Sequence, residues 1–265
     1  MKNAAVLLAA VTLSFSTTCL VAEPIGLGTA DTFAVLGAST VTNTGNTVLN
    51  GNLGLSPGSS ITGFPPGTVN GTTYINNGVA MQAQTDALTW YNVLAAMPST
   101  SNLPGQDLGS LTLTPGVYSF SSSAQLTGPL TLNFSGLNNA NMVFQIGSTL
   151  TTASASSINV INPGLNDNIY WQVGSSATLG TTTAFAGNII ADQSITLNNS
   201  ATIACGSAIA LNGAVTLDNN TISTCSSNAN TSPGDISAVP EPGTFGLLAT
   251  GILGAAGAMR RRFLA

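Results

Sequence analysis

The sequence predicts a mostly β protein, wound as a parallel β-solenoid with one long α-helix packed alongside. Three observations carry this. First, from Leu111 onward short apolar runs of three to seven residues recur, among them Val117–Phe120, Leu130–Phe134, Met142–Ile146, Ile169–Val173 and Ile203–Ile209, each bounded by Gly, Asn, Ser or Thr. Second, Leu126, Leu150, Leu179, Leu197 and Leu217 sit in similar contexts at spacings of 24, 29, 18 and 20 residues. A drifting period near 20 fits three short strands and three turns per coil. Third, one segment breaks the β pattern. A β-sandwich, with strands every 8–12 residues, explains the helix and the period less well.

Taken in order, residues 1–22 read as a secretory signal peptide: Lys2 supplies the charge, Ala4–Val11 the apolar run, and cleavage falls after Ala22. Cys19 is either discarded with this segment or the acceptor of a lipid. The body spans 23–225. Its first third alternates strand-like pieces (Phe33–Leu36, Thr40–Thr44) with turns at Gly45-Asn46, Gly51-Asn52, Ser56-Pro57-Gly58 and Pro65-Pro66-Gly67. Between Val79 and Met97 there is no Gly or Pro, and Ala87, Leu88, Tyr91, Leu94 and Ala95 fall on one helical face. A helix over about 79–97 follows, stopped by Pro98. A linker rich in Ser, Asn, Gly and Pro (226–238) leads to a terminal segment, 239–265.

Charge excludes several functions. The chain has four cations, Lys2 and Arg260–Arg262, and no His. The body holds seven acids (Glu23, Asp31, Asp86, Asp107, Asp167, Asp192, Asp218) and no base. Nucleic acid and anionic lipid need Lys or Arg to neutralise phosphate, so neither is an expected partner. Without His there is no Ser-His-Asp set and no Cys/His metal cluster, and no calcium-binding glycine–aspartate repeat is present. A glycosidase would need two carboxylates about 5–10 Å apart. Asp192 with Asp218 is the conceivable pair, but Asp167 and Asp218, each beside Asn, read as turn residues. Trp90 and Trp171 sit in regular elements and read as packing residues. No catalysis, cofactor or metal is expected. Cys205 and Cys225, 20 residues apart, are either a disulfide between neighbouring coils or two free buried thiols.

Two resemblances add to this. Val239-Pro240-Glu241-Pro242, the apolar run Phe245–Met259 and Arg260–Arg262 resemble the PEP-CTERM sorting signal of Gram-negative bacteria. That implies export, transient insertion of a short membrane segment, removal by a sorting protease and release to the surface or matrix. The run is shorter than the ~20 residues of an ordinary span. The segments Leu27–Leu36, Thr40–Gly45, Gly63–Gly67, Trp171–Gly180 and Leu211–Ile222 resemble the ice-binding protein family of cold-adapted bacteria, fungi and algae. The likeness covers 27–224 and implies an irregular right-handed β-helix of roughly triangular section, with a helix along one side and N-terminal strands stacked on C-terminal coils. Many relatives carry an arginine near the place of Ser207.

The resemblance implies a secreted monomer whose partner is an ice crystal, bound through a flat β-face rich in Thr, Ser and Ala so that ice growth and recrystallisation are inhibited. Some relatives show a Thr-Ala/Gly-X-Thr/Asn pattern there. Thr44-Gly45-Asn46-Thr47 matches it, whereas the match at Thr29-Ala30-Asp31-Thr32 overlaps a strand start and reads as structural. The candidate face is Thr40, Thr42, Thr44 and Thr47 with Thr62 beside them, extended by Ser154, Ser156, Thr182, Thr202 and Thr221. The competing reading is a matrix or adhesion β-helix that binds exopolysaccharide.

Overall fold

The computed structural model describes residues 26–225. The expected signal peptide, linker and sorting segment lie outside the described residues. After a short 3-10 turn (Gly28–Thr32), the first coil consists of β1 (Phe33–Gly37), β2 (Thr40–Thr44) and β3 (Val48–Asn50). The second is β4 (Asn52–Leu55), β5 (Ser60–Thr62) and β6 (Thr68–Val69), and β7 (Thr73–Ile75) leads into the helix α1 (Gly78–Ala96). β8 (Ser101–Asn102) and β9 (Thr112–Leu113) open the second run. Full coils follow: β10 (Gly116–Phe120), β11 (Ala124–Leu126), β12 (Pro129–Asn133); β13 (Asn141–Ile146), β14 (Leu150–Thr152), β15 (Ser157–Ile161); β16 (Asn168–Val173), β17 (Ala177–Leu179), β18 (Ala184–Ala186). The last two are β19 (Asn188–Ala191), β20 (Ile195–Leu197), β21 (Thr202–Ala204) and β22 (Ala208–Ala210), β23 (Val215–Asp218), β24 (Thr221–Ser223).

Successive strands of a coil belong to three different sheets, here A, B and C. Sheet A has the order β7-β4-β1-β22-β19-β16-β13-β10-β8, sheet B β11-β14-β17-β20-β23-β2-β5, and sheet C β6-β3-β24-β21-β18-β15-β12-β9. Every strand pair is parallel, and the first coil stacks directly on the last: Val35 pairs Ala208, Val41 pairs Val215, and Val48 pairs Thr221. The mostly β solenoid with one helix is thus as the sequence predicts.

Inward residues form stacked columns. On sheet A, Tyr118, Phe144 and Trp171 are in register. The Phe144 and Trp171 rings lie 3.9 Å apart at 7°. The buried Trp171 indole N–H donates to the Ala186 carbonyl at 3.0 Å, so the largest core side chain leaves no orphan donor. On sheet B, Val41, Val215, Ile195 and Ala177 form one column. The leucine repeat is not one column, however. Leu150 pairs Ala124 and Ala177, and the partner of Leu126 is Thr152. Thr152 is buried there because its hydroxyl meets that of Thr183 at 2.8 Å and accepts the Gly180 N–H. The spacings of 24 and 29 therefore straddle true repeats of 26 and 27, the offsets between the paired Gln125, Thr151 and Thr178.

The helix is capped by Asn77, whose side chain accepts the Ala80 N–H at 3.0 Å. It covers the outer side of sheet A. Its buried residues are Ala80, Ala83, Ala87 and Leu94, and the last three pack with Leu27, Phe33, Leu36, Val143, Tyr170, Ile190 and Ile209. The face differs from the expected one: Leu88 is 50 % exposed, and Ala95 is exposed. Alanines at the contact let the helix lie close to the sheet, which turns Leu88 outward. Gln145 fixes the far end, donating to the Leu94 and Met97 carbonyls at 2.7 and 2.8 Å. Asp86 ties the helix to the N-terminal turn by accepting the Thr29 N–H and hydroxyl, at 2.8 and 2.6 Å, and the Gln82 amide at 2.8 Å. The Thr29–Thr32 segment is therefore structural. Cys205 and Cys225 are joined as a disulfide, the first of the two alternatives.

Burial pushes the Asp86 carboxyl up, but the bonds from Thr29 and Gln82 outweigh it and leave its pKa below the ordinary value. A carboxylate depressed in the folded state stabilises fully above its unfolded pKa, about 3.9, and that contribution is lost as pH falls through the folded value. Asp86→Asn should lower the thermal midpoint at neutral pH. The gap to the unaltered protein should close below about pH 4, as read by circular dichroism melts across pH.

Candidate functional site

The helix covers the outer side of sheet A and leaves those of B and C free. Strand alternation decides what B presents. In β14, β17, β20 and β23 the flanking residues point inward, and the middle one, always threonine, points out. Register then lines up Gln125, Thr151, Thr178, Thr196, Thr216, Thr42 and Thr62. Six consecutive threonines form one column, spaced about 4.8 Å apart. A second column lies two residues earlier on each strand: Ser123, Thr149, Ser176, Ser194, Ala214, Thr40 and Ser60. Of these, Thr40 pairs Ser60.

The hydroxyls of the second column are held locally. Ser123 and Thr149 hydroxyls meet at 2.8 Å, Ser176 accepts the Ser194 N–H at 3.3 Å, and Ser194 accepts the Ala214 N–H at 3.2 Å. Threonine itself has a restricted χ1. The face is therefore a stiff grid of methyls and hydroxyls. Its edges carry the acids: Asp218 pairs Thr44 in register, and Asp107 bridges beside Gln125. Burial raises Asp107, but N–H and hydroxyl bonds from Thr127 and the Gly109 N–H outweigh it and hold it below the usual carboxylate range. It stays ionised at the end of the face.

Sheet C is less regular. One outward column reads Pro129, Ser157, Ala184, Thr202, Thr221, Val48, Thr68. Beside it, Asn50 donates to the Ser223 hydroxyl and accepts from Asn70 at 2.9 and 2.8 Å. Proline, alanine, valine and asparagine break the chemical repeat.

The candidate residues divide accordingly. Thr40, Thr42, Thr44 and Thr62 come together on sheet B. Thr202 and Thr221 lie on sheet C. Ser154 and Thr182 occupy exposed turns at the edge between B and C, Thr182 with φ 57°. Two expectations are overturned. Thr47 is fully buried, and its hydroxyl accepts the Asn220 N–H at 3.0 Å. Ser156 is buried and bonds the Leu126 carbonyl and Gly128 N–H at 2.8 and 3.2 Å. Both satisfy backbone groups where the chain turns from B to C. The sequence reading missed Thr151, Thr178, Thr196 and Thr216. Their signal was in plain view: each adjoins one of the periodic leucines, at Leu150, Leu179, Leu197 and Leu217.

The enzyme-like features disperse. Asp192 follows β19 and Asp218 ends β23, at opposite edges of sheet B. Asp192 accepts from Asn212 and Gln193 side chains at 3.1 and 2.6 Å. Trp171 is core, and Trp90 is a half-buried residue of the helix itself, packed against the cluster beneath it. Among the described residues, no group of three or more His, Cys, Asp or Glu is placed to hold a metal.

A three-sided parallel solenoid, with one side sealed by a helix and another ruled by threonine, defines a surface-presenting β-helix protein. The chain belongs to the ice-binding-like family, whose model matches residues 35–223. A PEP-CTERM protein-sorting motif matches 238–262. The chain is 54% identical over 264 residues to an ice-binding protein of Nostoc sp. (strain HG1), covering 99% of this chain and 97% of that one. Among solved structures it is similar to an ice binding protein from an Antarctic biological consortium, with 46% identity, TM-score 0.73 and coverage of 81% of this chain and 96% of that one. It is also similar to the ice-binding protein of the ascomycete Antarctomyces psychrotrophicus, with 40% identity, TM-score 0.72 and coverage of 76% and 98%.

Thr47→Ala should cost about 1–3 kcal/mol by stranding the Asn220 N–H, whereas the exposed Thr44→Ala should change stability by less than about 0.5 kcal/mol. Urea denaturation of the two variants measures the difference.

Proposed function

We propose that this protein is a secreted ice-binding protein that adsorbs to ice through sheet B and so inhibits ice growth and recrystallisation. The observation that carries the choice of face is the in-register column Thr151, Thr178, Thr196, Thr216, Thr42, Thr62. Ice is a rigid, uncharged lattice of water. Seven stacked strands present a strip about 29 Å long, with its two columns about 6.6 Å apart. Methyls favour loss of loosely held water from the interface, while hydroxyls keep ordered waters by hydrogen bonds. Short, stiff side chains lose little freedom on adsorption, whereas Lys or Arg would lose much more. The names of the similar proteins support the same reading.

In this account the protein has no catalytic role and acts as a monomer. Pro65 and Pro66, exposed beside the terminal strand β5, hinder strand addition at that end. The signal peptide (1–22) and the sorting segment (239–265) are removed on export, the latter after transient membrane insertion and cleavage by a sorting protease. The body 23–225 and linker 226–238 then reach the surface or matrix. The matrix-binding alternative draws on the sorting motif alone.

Thr42→Tyr and Thr216→Tyr should each remove most thermal hysteresis and recrystallisation inhibition by raising a bulky ring from within the threonine column. Thr221→Tyr on sheet C should leave both nearly unchanged. Full activity in the first two with loss in the third would move the site to sheet C.

A further inference from the structure

The two columns of sheet B are regular, and the position beside them is not. Two residues beyond the threonine column each strand offers a third outward position. There Asp218 stands in register with Thr44. Gly180 and Asn198 take the same place on their strands, directly after the paired Leu179 and Leu197. The third column therefore reads Gly180, Asn198, Asp218, Thr44, with no repeat of side-chain chemistry.

Asp218 is the one acid among the described residues that lies inside a strand. Along β23, Val215 and Leu217 are buried while Thr216 and Asp218 are not. The carboxylate thus leaves the sheet on the same side as Thr216, about 6.6 Å along the strand. Its backbone is fixed: the N–H donates to Asn220 Oδ1 at 2.7 Å, and the carbonyl accepts the Ser200 N–H at 3.0 Å. The carboxylate itself is held far less. One oxygen accepts the Asn199 side-chain amide at 3.3 Å, and the other meets no donor among the described residues. None of the described residues is Lys, Arg or His, so no side chain there can neutralise it.

An ionised carboxylate orients the waters around it, and stripping them without a counter-charge is costly. Ice fixes the hydrogen-bond directions of its own waters, so it cannot both keep its lattice and solvate the charge. We propose that Asp218 sets the width of the ice contact: adsorption reaches the two regular columns and stops at the third, where the carboxylate keeps its water. This rests on sheet B being the ice face. Thr44 then stays outside the contact although it faces the same way as Thr42, because its partner in register is the acid. An uncharged hydroxyl at position 218 stands between Asn198 and Thr44 and widens the face from two columns to three across β20, β23 and β2.

The test compares thermal hysteresis and recrystallisation inhibition at equal protein concentration and neutral pH. The variants are Asp218→Thr, Asp218→Asn and Asp192→Asn, with Thr216→Tyr as the check on the face itself. Asp218→Asn removes the charge but keeps the shape and an acceptor for Asn199. Asp192→Asn removes the same charge at the opposite edge of the sheet. Asp218→Thr should raise thermal hysteresis several-fold and Asp218→Asn by less, while Asp192→Asn should leave it unchanged. Thr44→Ala should change nothing in the unaltered protein but take back part of the gain in Asp218→Thr, a coupling that net charge or stability alone does not produce. No gain in either Asp218 variant, with thermal midpoints unchanged and Thr216→Tyr largely inactive, would overturn the role of Asp218 and leave the ice face standing. An equal gain in Asp192→Asn would overturn it too, since net charge would then suffice. Full activity in Thr216→Tyr would overturn the ice face and the role of Asp218 together. Should Asp218→Thr fail to fold, Asp218→Asn decides alone.

Discussion

The structure depends on in-register parallel stacking of its coils, above all at the joint between the first coil and the last. There Val35 meets Ala208, Thr42 meets Thr216 and Val48 meets Thr221. The partners are about 170 residues apart in sequence, so this joint closes the longest loop among the described residues, at an entropy cost that grows only slowly with length. It unites two separate stacks, β1–β7 and β8–β24, into three continuous sheets. Every column, inward or outward, runs through it. The polar contacts at the B-to-C turn fix its register: Asn220 donates its N–H to Thr47, and its amide donates to the Asn198 and Ala201 carbonyls, both at 2.9 Å. A slip by one residue would send every outward threonine inward.

That register makes the three sides different. Sheet A receives the helix because its outer side is apolar, with Phe33, Val143, Tyr170, Ile190 and Ile209 in the buried cluster. Sheet B carries threonine because each of its strands from β14 to β23 offers one outward middle position, filled each time by the same residue type. Sheet C has the same backbone but mixed chemistry. The helix thus leaves the most regular side open.

Much of this was legible in the sequence. The gap in Gly and Pro between Val79 and Met97 located the helix to within a residue. The recurrence near 20 gave the coil, because the turn residues that bound each strand are local signals. The side of the helix was less legible. Leu88 and Ala95 satisfy the helical period as well as Ala80 and Ala83 do, and only the sheet's shape chooses between them. The leucine repeat misled at Leu150 because a buried threonine can replace leucine when its hydroxyl finds a partner, as at Thr152. For the same reason Thr47 and Ser156 could not be told from surface residues. Their burial follows from backbone groups contributed by other coils. The threonine column itself was hidden because its members are 18 to 27 residues apart along β11 to β23 and then jump to Thr42 and Thr62.

The central claim is that one column, assembled across the joint, meets the ice. Solid-state NMR of protein frozen with threonine methyls labelled, following magnetisation from ice protons to each methyl, tests it most directly. Transfer should be strongest at Thr151, Thr178, Thr196, Thr216, Thr42 and Thr62 and weak at Thr202 and Thr221. Stronger transfer to the sheet C threonines, or equal transfer to both sets, would contradict the account.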